Sequence, residues 1–276
     1  MMERITSPAN PQIKQIRKLR DRKERETTGL FFIEGIRIVM EAIQLEAPVE
    51  KILLCTELLT SPTALKDIEA YSQRTETPIL EVNGEVFKSL SVKDGPQGVG
   101  AVVRERWMSL DELHLSAGDV WIALDSIADP GNLGTILRTN DAVGGRGLIL
   151  LDHCTDPYDP SAVRGSMGAL FSQNLIRATL ADFSTWVNRN KIAVIGTSDK
   201  AEQDYFFADY PDPLILMMGS ERMGLSPAHF AICDDVVSIP MLGRSDSLNL
   251  AVATGIVLYE ILNYRRNADK RRANQP

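Results

Sequence analysis

The sequence is short of cysteine and of histidine. Its three cysteines, Cys55, Cys154 and Cys233, stand far apart, and their odd number implies no disulfide framework. His153 and Cys154 are adjacent, but neither has a partner at metal-ligand spacing, and His114 and His229 stand alone. No metal site is expected, therefore, and no histidine-centred triad. No apolar run approaches the roughly 18 residues that a membrane helix needs. The polar, basic amino-terminal stretch lacks the apolar centre of a signal peptide, so a cytoplasmic protein with no membrane partner is expected. The phosphate-binding glycine patterns are missing too: there is no G-x-x-x-x-G-K-[ST], and no G-x-G-x-x-G follows a strand. Gly144-Gly145-Arg146-Gly147 falls at the expected end of a helix, where glycine serves as a cap.

What remains is an ordinary globular composition in 276 residues, 44% hydrophobic and 24% charged, long enough for one large domain or two of common size. The net charge is −7, which by itself counts against nucleic acid. Its distribution is uneven. Residues 1–30 hold eight Lys and Arg against four Asp and Glu, including Lys14, Arg17, Lys18, Arg20, Arg22, Lys23 and Arg25. After Tyr264 come Arg265, Arg266, Lys270, Arg271 and Arg272 against Asp269. Basic ends flanking an acidic middle read either as polyanion contacts or as a solvated helix face and a frayed tail.

Periodicity divides the chain in two. Asn10 to Arg25 reads as a helix with Ile13, Ile16 and Leu19 on one face, and Leu30–Glu34 as a strand. Gly35 opens a helix with Ile38, Val39, Ala42 and Ile43 inward. Strands at 49–55, 78–82 and 98–103 alternate with helices at 62–74 and 85–90. This gives a smaller α/β domain over 1–104. Residues 105–117 are a polar linker with room for one helical turn, and a larger α/β domain fills 118–276 and carries the basic tail. In the larger domain strands are expected at 120–125, 147–151, 192–197, 214–219 and 236–240. Helices are expected at 131–143, 160–170, 181–190, 226–232 and about 247–266. Alternation of this kind implies a mainly parallel sheet covered on both faces. The last helix places Leu248, Ala251, Val252, Gly255, Ile256, Tyr259 and Leu262 on one face.

Three strand ends carry polar residues where open α/β sheets bind ligands. The first is Leu124-Asp125-Ser126-Ile127-Ala128-Asp129-Pro130-Gly131-Asn132-Leu133-Gly134, with Arg138 one turn into the following helix. The second is Met217-Met218-Gly219-Ser220-Glu221-Arg222-Met223-Gly224-Leu225-Ser226, which puts a carboxylate in a turn before a helix at Ser226-Pro227. The third is Ile239-Pro240-Met241-Leu242-Gly243-Arg244-Ser245-Asp246-Ser247-Leu248-Asn249, where Asp246 or Ser247 can cap the last helix. Each alone could be turn chemistry; together they outline a site.

These residues resemble the SpoU/TrmH family of RNA ribose methyltransferases, part of the SPOUT class with the α/β-knot fold. The signature motifs stand in order: Asp129-Pro130-x-Asn132-x-Gly134-x-x-x-Arg138, then Gly219-Ser220-Glu221-x-x-Gly224-Leu225-Ser226, then Ile239-Pro240-Met241 with Ser247-Leu248-Asn249. Val163-Arg164-Gly165-Ser166-Met167-Gly168 between them also looks like the family. The first domain is similar, more weakly, to the kink-turn-binding ribosomal proteins, through Phe32-Ile33-Glu34-Gly35 and the preceding basic helix. One departure is Arg222, where many members have glycine.

The resemblance implies a deep trefoil knot in 118–264 and methyl transfer from S-adenosylmethionine to a ribose 2′-hydroxyl. The RNA would be ribosomal, with transfer RNA or a non-catalytic RNA-binding role as alternatives. It implies cofactor contacts at Gly219, Ile239 and Leu248, and we add Met241 and Thr197. Glycine at 219 would permit close approach of the adenosine. Arg138 is the implied catalytic residue. Arginine is effectively never deprotonated, so orienting the hydroxyl or phosphate and stabilising developing alkoxide suit it better than a plain base role. Asn132 and Asn249 would hold the loop, the arginine or the ribose, Glu221 would position Arg138 or Asn132, and Ser247 would bond near the reacting centre. Asn132 and Ser247 can also be read simply as helix caps. RNA contacts are expected from Lys14, Arg17, Lys18, Arg22, Arg37 and Arg164. Family members act as homodimers, and Ala251, Ala253 and Gly255 would permit close helix packing, within the chain or between copies. The motifs name neither the nucleotide nor the base preference.

Overall fold

Apolar spacing and turn chemistry set most elements of the first 105 residues. A computed structural model describes residues 3–92 and 95–273; the side chains of Glu3 and of residues 268–273, including Lys270, Arg271 and Arg272 of the basic tail, lie outside the described set. The chain begins with β1 (Glu3–Ile5), α1 (Pro11–Lys18), α2 (Arg22–Thr28), β2 (Leu30–Glu34) and α3 (Ile36–Gln44). It continues with β3 (Val49–Leu54), α4 (Pro62–Thr75), β4 (Ile79–Val82), α5 (Gly84–Leu90) and β5 (Val99–Arg104). The single helix expected over 10–25 is two. Asp21 caps a new helix through the Lys23 N–H, and the chain turns at Leu19–Asp21.

The five strands form a sheet in the order β1-β4-β3-β5-β2. β1, β4 and β3 are parallel, but β5 runs antiparallel to both β3 and β2, so this sheet is mixed. A run of helices and strands does not reveal where the chain reverses, and β5 returns between β3 and the edge strand β2. Ile13, Ile16 and Leu19 are buried with Leu53, Leu80, Val86, Phe87 and Val102 in one core. Arg25 of the basic run is not solvated. It is 1% exposed, pairs with Asp156 at 2.7 Å, and donates to the carbonyls of Leu19 and Arg20.

Residues 106–117, expected as a linker, cluster with the second unit: Leu113 is buried in its core with Met108, Leu110 and Leu115 packed against it, and the 3-10 turn at Leu110–Glu112 carries a Ser109–Glu112 capping box. The second unit contains β6 (Val120–Asp125), α6 (Pro130–Ala142) and β7 (Gly147–Leu151). Residues 156–172, with α7 (Pro160–Ser166) and a 3-10 turn at Ala169–Phe171, then cluster with the first unit. There Tyr158 and Phe171 pack on Phe31, with ring centroids 4.6 and 6.4 Å away. The chain next forms β8 (Asn174–Ala178), α8 (Leu180–Asn190), β9 (Ala193–Thr197), β10 (Gln203–Asp204), β11 (Leu214–Met218), α9 (Pro227–Phe230), β12 (Asp235–Ser238) and α10 (Leu250–Ala273).

This sheet has the order β10-β12-β9-β11-β6-β7-β8, and every pairing in it is parallel. β6, β7 and β11 are buried at every position, as central strands covered on both faces must be. α10 starts at Leu250 rather than 247. It packs on α6 and buries Ala251, Thr254, Val257, Leu258 and Ile261. The expected apolar face is split as a result: Leu248, Val252 and Tyr259 are 38%, 52% and 49% exposed. Gly255 lies against α6, where an added Cβ would sit 3.5 Å from Thr139 Cγ2. Among the described residues no helix is long and apolar enough to cross a membrane.

Candidate active site

Parallel strands in one sheet present their carboxyl ends along one edge, and β12, β9, β11 and β6 are consecutive neighbours. The loops after β6, β11 and β12 therefore emerge side by side. Asp129 caps α6 by accepting the Asn132 N–H at 2.8 Å, Pro130 takes a first-turn position that needs no N–H, and Leu133, Ile136 and Leu137 face the core. Asn132, Thr135 and Arg138 wind along the uncovered side.

Glu221 reaches from the β11 loop into the β6 loop. Its Oε1 accepts from Asn132 Nδ2 at 2.6 Å, and its Oε2 accepts from the Ala128 N–H at 3.0 Å. Asn132 Oδ1 accepts from Asn249 Nδ2 at 3.0 Å. Asn249 Oδ1 accepts from the N–H groups of Ala251 and Val252, at 3.0 and 3.3 Å, and so caps α10. The two ends of this chain fix both amides. An ionised carboxylate only accepts, so Asn132 must turn its NH2 to Glu221 and its oxygen to Asn249. Helix N–H groups only donate, so Asn249 must turn its oxygen to α10 and its NH2 to Asn132. Three motifs are thus joined through side chains alone.

The structure separates the alternatives left by the motifs. Glu221 holds Asn132 rather than Arg138. The cap of α10 is Asn249, not Asp246 or Ser247, and the cap of α6 is Asp129, not Asn132. Ser247 is exposed and reaches only Asp246, at 3.5 Å. Arg138 is exposed and forms no hydrogen bond or ion pair among the described residues; six residues of helix place it about 9 Å along the axis from Asn132.

Thr197, Gly219 and Ile239 sit at the carboxyl ends of β9, β11 and β12, with Thr197 Oγ1 donating to Met218 Sδ at 3.3 Å. Gly219 is buried, and a Cβ there would overlap the backbone of Gly224 and Leu225. The loop itself demands the glycine, because it folds back through Gly224 N–H to the Ser220 carbonyl at 2.9 Å. Met241 and Ile239 are half-buried, and Leu248 and Leu242 stand exposed beside them in sequence. This edge offers backbone donors and acceptors with apolar side chains and no phosphate-binding loop. That set fits an adenosine that carries no phosphate.

His229 does not stand alone. Its Nδ1 accepts from the Ser226 N–H at 3.0 Å and lies 2.7 Å from Ser226 Oγ, which closes a capping box on α9. With Nδ1 accepting, the neutral ring carries its proton on Nε2, 3.5 Å from Asp125 Oδ2. The usual capping signal has Glu or Gln at this position, so the spacing did not reveal it. Nε2 is buried and forms no hydrogen bond, so the ring caps α9 through Ser226 and only lies against Asp125 at the end of β6. Burial pushes the Cys154 thiol up to about 11 and the Cys233 thiol to about 12, so neither is a nucleophile at neutral pH.

The cationic candidates divide. Lys14 and Lys18 are exposed on α1. Arg17 is bound to the Pro8 carbonyl and to the carbonyl and hydroxyl of Ser89, and Arg22 pairs with Glu26 at 2.8 Å. Arg37 and Arg164 are exposed and line one pocket of the first unit.

Comparison with known proteins agrees with this arrangement. Residues 119–259 match the SpoU rRNA Methylase family, and residues 10–101 match the MRM3-like substrate binding domain. The chain is 33% identical over 270 residues to the 23S rRNA (uridine(2479)-2′-O)-methyltransferase of Streptomyces viridochromogenes, covering 95% of this chain and 92% of that one. It is 28% identical to the 23S rRNA (guanosine(2553)-2′-O)-methyltransferase RlmP of Bacillus subtilis, covering 94% and 99%. Among solved structures, an AdoMet-bound rRNA methyltransferase from Sinorhizobium meliloti superposes with a TM-score of 0.88 at 35% identity, covering 95% of this chain and 98% of that one. AviRb of Streptomyces viridochromogenes, solved with AdoMet, gives 0.83 at 32% identity, covering 93% and 98%. With the motif loops joined at one sheet edge and relatives matched along almost the whole chain, the protein belongs to the SpoU rRNA methylase family.

Proposed function

We propose that the protein transfers a methyl group from S-adenosylmethionine to a ribose 2′-hydroxyl of ribosomal RNA. The observation that carries this reading is the chain Glu221–Asn132–Asn249, which holds the loops after β6, β11 and β12 in one geometry at the carboxyl edge of the sheet. When bound, S-adenosylmethionine supplies an electrophilic methyl group. Thr197, Gly219, Ile239, Met241 and Leu248 would hold it through backbone groups and apolar contact. The Arg138 guanidinium donates to the 2′-oxygen or its neighbouring phosphate and stabilises negative charge as it develops there, while the hydroxyl proton passes to water at this exposed edge. The amide chain keeps the α6 amino terminus in place, so that Arg138 meets the hydroxyl with little reorganisation. Ser247, outside the chain, is a candidate for a bond to the ribose.

The first unit would hold the RNA, with Lys14, Lys18, Arg37 and Arg164 among its exposed cations that have no partner among the described residues, and the cytoplasm is where that substrate lies. The two rRNA-modifying relatives act on a uridine and on a guanosine. Shared motifs therefore serve the ribose, and the choice of nucleotide lies elsewhere. The decisive experiment offers labelled S-adenosylmethionine with deproteinised ribosomal RNA and with transfer RNA. Alkali-stable label in the large ribosomal RNA is expected. Label only in transfer RNA would move the substrate, and no label in either would overturn the reading.

Two structural features belong to the same proposal. The exposed Leu248, Val252 and Tyr259 along the start of α10 suit a second copy of the chain, so a dimer is expected by light scattering. Val252→Glu should give monomers; a native monomer would overturn it. The trefoil knot implied for 118–264 would leave a shortened end-to-end length when residues 118 and 273 are pulled apart.

A further inference from the structure

The first unit holds a pocket that methyl transfer does not use. Leu19, Phe32, Ile38, Leu90 and Met167 give it apolar walls, and its cavity is about 120 Å³. That is well below the roughly 300–1,000 Å³ of pockets for drug-sized ligands, so it suits one planar ring system. Glu34 lines it at the end of β2, and its Oε2 is buried with no hydrogen-bond partner. A buried carboxylate oxygen is costly to leave without a donor. Arg20, Arg37 and Arg164 stand around the same pocket, yet none of them pairs with Glu34. Gln97 lines it too, and because its Oε1 already accepts from the Ile36 N–H at 3.0 Å, its NH2 is the side left for a ligand. α3 begins here at Gly35 with no side-chain cap, which leaves early helix N–H groups for an anion.

We propose that this pocket takes a single unstacked guanine of the RNA. The Glu34 carboxylate accepts from guanine N1–H and N2–H2, and the Gln97 amide donates to O6. Guanine alone among the four bases sets two donor groups side by side on its pairing edge. Uracil would turn two carbonyl oxygens beside its one N–H toward the carboxylate, and adenine and cytosine offer one amino group beside an acceptor nitrogen. Phe32 supplies a ring for the base to pack against, and glycine at 100 leaves room for that ring: a Cβ there would lie 2.5 Å from Phe32 Cζ. Arg37 and Arg164, exposed and without carboxylate partners among the described residues, face the flanking phosphates, while Arg20 is held at the Ser89 and Ser91 carbonyls. The inference rests on RNA being the substrate. It adds a base-reading site that shares no residue with the methyl-transfer machinery.

The test uses the full chain and the labelled pentaribonucleotides UUGUU, UUAUU, UUCUU and UUUUU, with binding read by fluorescence anisotropy. UUGUU should bind about tenfold more tightly than the other three. Glu34→Gln should erase that preference, and Arg37→Ala should weaken all four alike. Val92→Phe, a substitution at a half-exposed position lining the pocket, should also erase the preference without a change in the folded core. Equal affinities in the native protein, no binding at all, or a preference that survives both Glu34→Gln and Val92→Phe would overturn the proposal. Methyl transfer to ribosomal RNA, measured in parallel, separates the two readings. Transfer without guanine preference removes the pocket alone, and guanine preference without transfer removes the methyltransferase alone.

Discussion

Both units contain a polar network, and the two networks are built to opposite ends. In the first unit Arg25 is 1% exposed and Asp156 3%, and their 2.7 Å contact is closed off by two carbonyls and by the Tyr158 N–H on Asp156. In the second unit Glu221, Asn132 and Asn249 are joined by contacts of similar length but stand at the surface. The buried network satisfies every charge internally and leaves nothing for a ligand; its removal would leave an unpaired charge in the core. The surface network joins three loops and holds each amide in one orientation, with Arg138 uncommitted about 9 Å further along α6. Hydrogen-bond length does not distinguish the two networks; solvent access and spare valence do.

The comparison can be broken most sharply at Asp156. Asp156→Ala should cost about 3–5 kcal/mol by urea titration, since it leaves the buried Arg25 with only the Asp159 carboxylate, 3.7 Å away. A loss under about 1 kcal/mol would show that the first-unit network is not structural. Arg138→Ala should lower kcat by roughly 10²–10³ while calorimetry finds cofactor affinity unchanged and stability moves by less than about 0.5 kcal/mol. Retained turnover would remove Arg138 from catalysis. Asn249→Ala should cost about 1 kcal/mol through the lost cap. Asn249→Asp sharpens the point: it keeps an oxygen for α10 but has no NH2 for Asn132, so stability should hold while turnover falls. Equal behaviour of the two variants would mean that the amide chain only caps a helix.

The smallest effect concerns Cys154. Its folded thiol is held up to about 11 against an ordinary 9.0 by burial first, with Asp125 adding to it. The unfolded thiol loses its proton first, so this contribution to stability is complete below pH 9 and is lost as pH rises toward 11. Denaturation midpoints should fall across that window less steeply in Cys154→Ala than in the native protein.

Much of the second unit was legible because its central strands are continuous apolar runs, as at Val120–Leu124 and Leu214–Met218. β8 was not, since Asn174 and Arg177 interrupt its pattern, and β1 and β10 are edge strands of three and two residues. Helix 10–25 misled because the basic run continues unbroken past Asp21, whose side chain caps a second helix through the Lys23 N–H, and Arg25 of that run is turned inward by its buried partner. The last helix was expected at about 247–266 and runs from Leu250 to Ala273, and its face is split because the helix packs on α6 with Ala251, Thr254 and Leu258 buried and Val252 and Tyr259 outside.

By itself the sequence determined what is local: the Asp129 cap and Pro130 that start α6, the glycine in the β11 loop, the apolar runs, and three motifs spaced after three strands. The tertiary structure alone decided which polar groups meet. Asn132 and Glu221 lie 89 residues apart, Asn132 and Asn249 lie 117, and Arg25 and Asp156 lie 131. Caps and strands are encoded within a turn or a run of five residues, where neighbours in sequence are neighbours in space. Contacts across a hundred residues depend on strand order, and no stretch of the chain carries that order before the sheet forms.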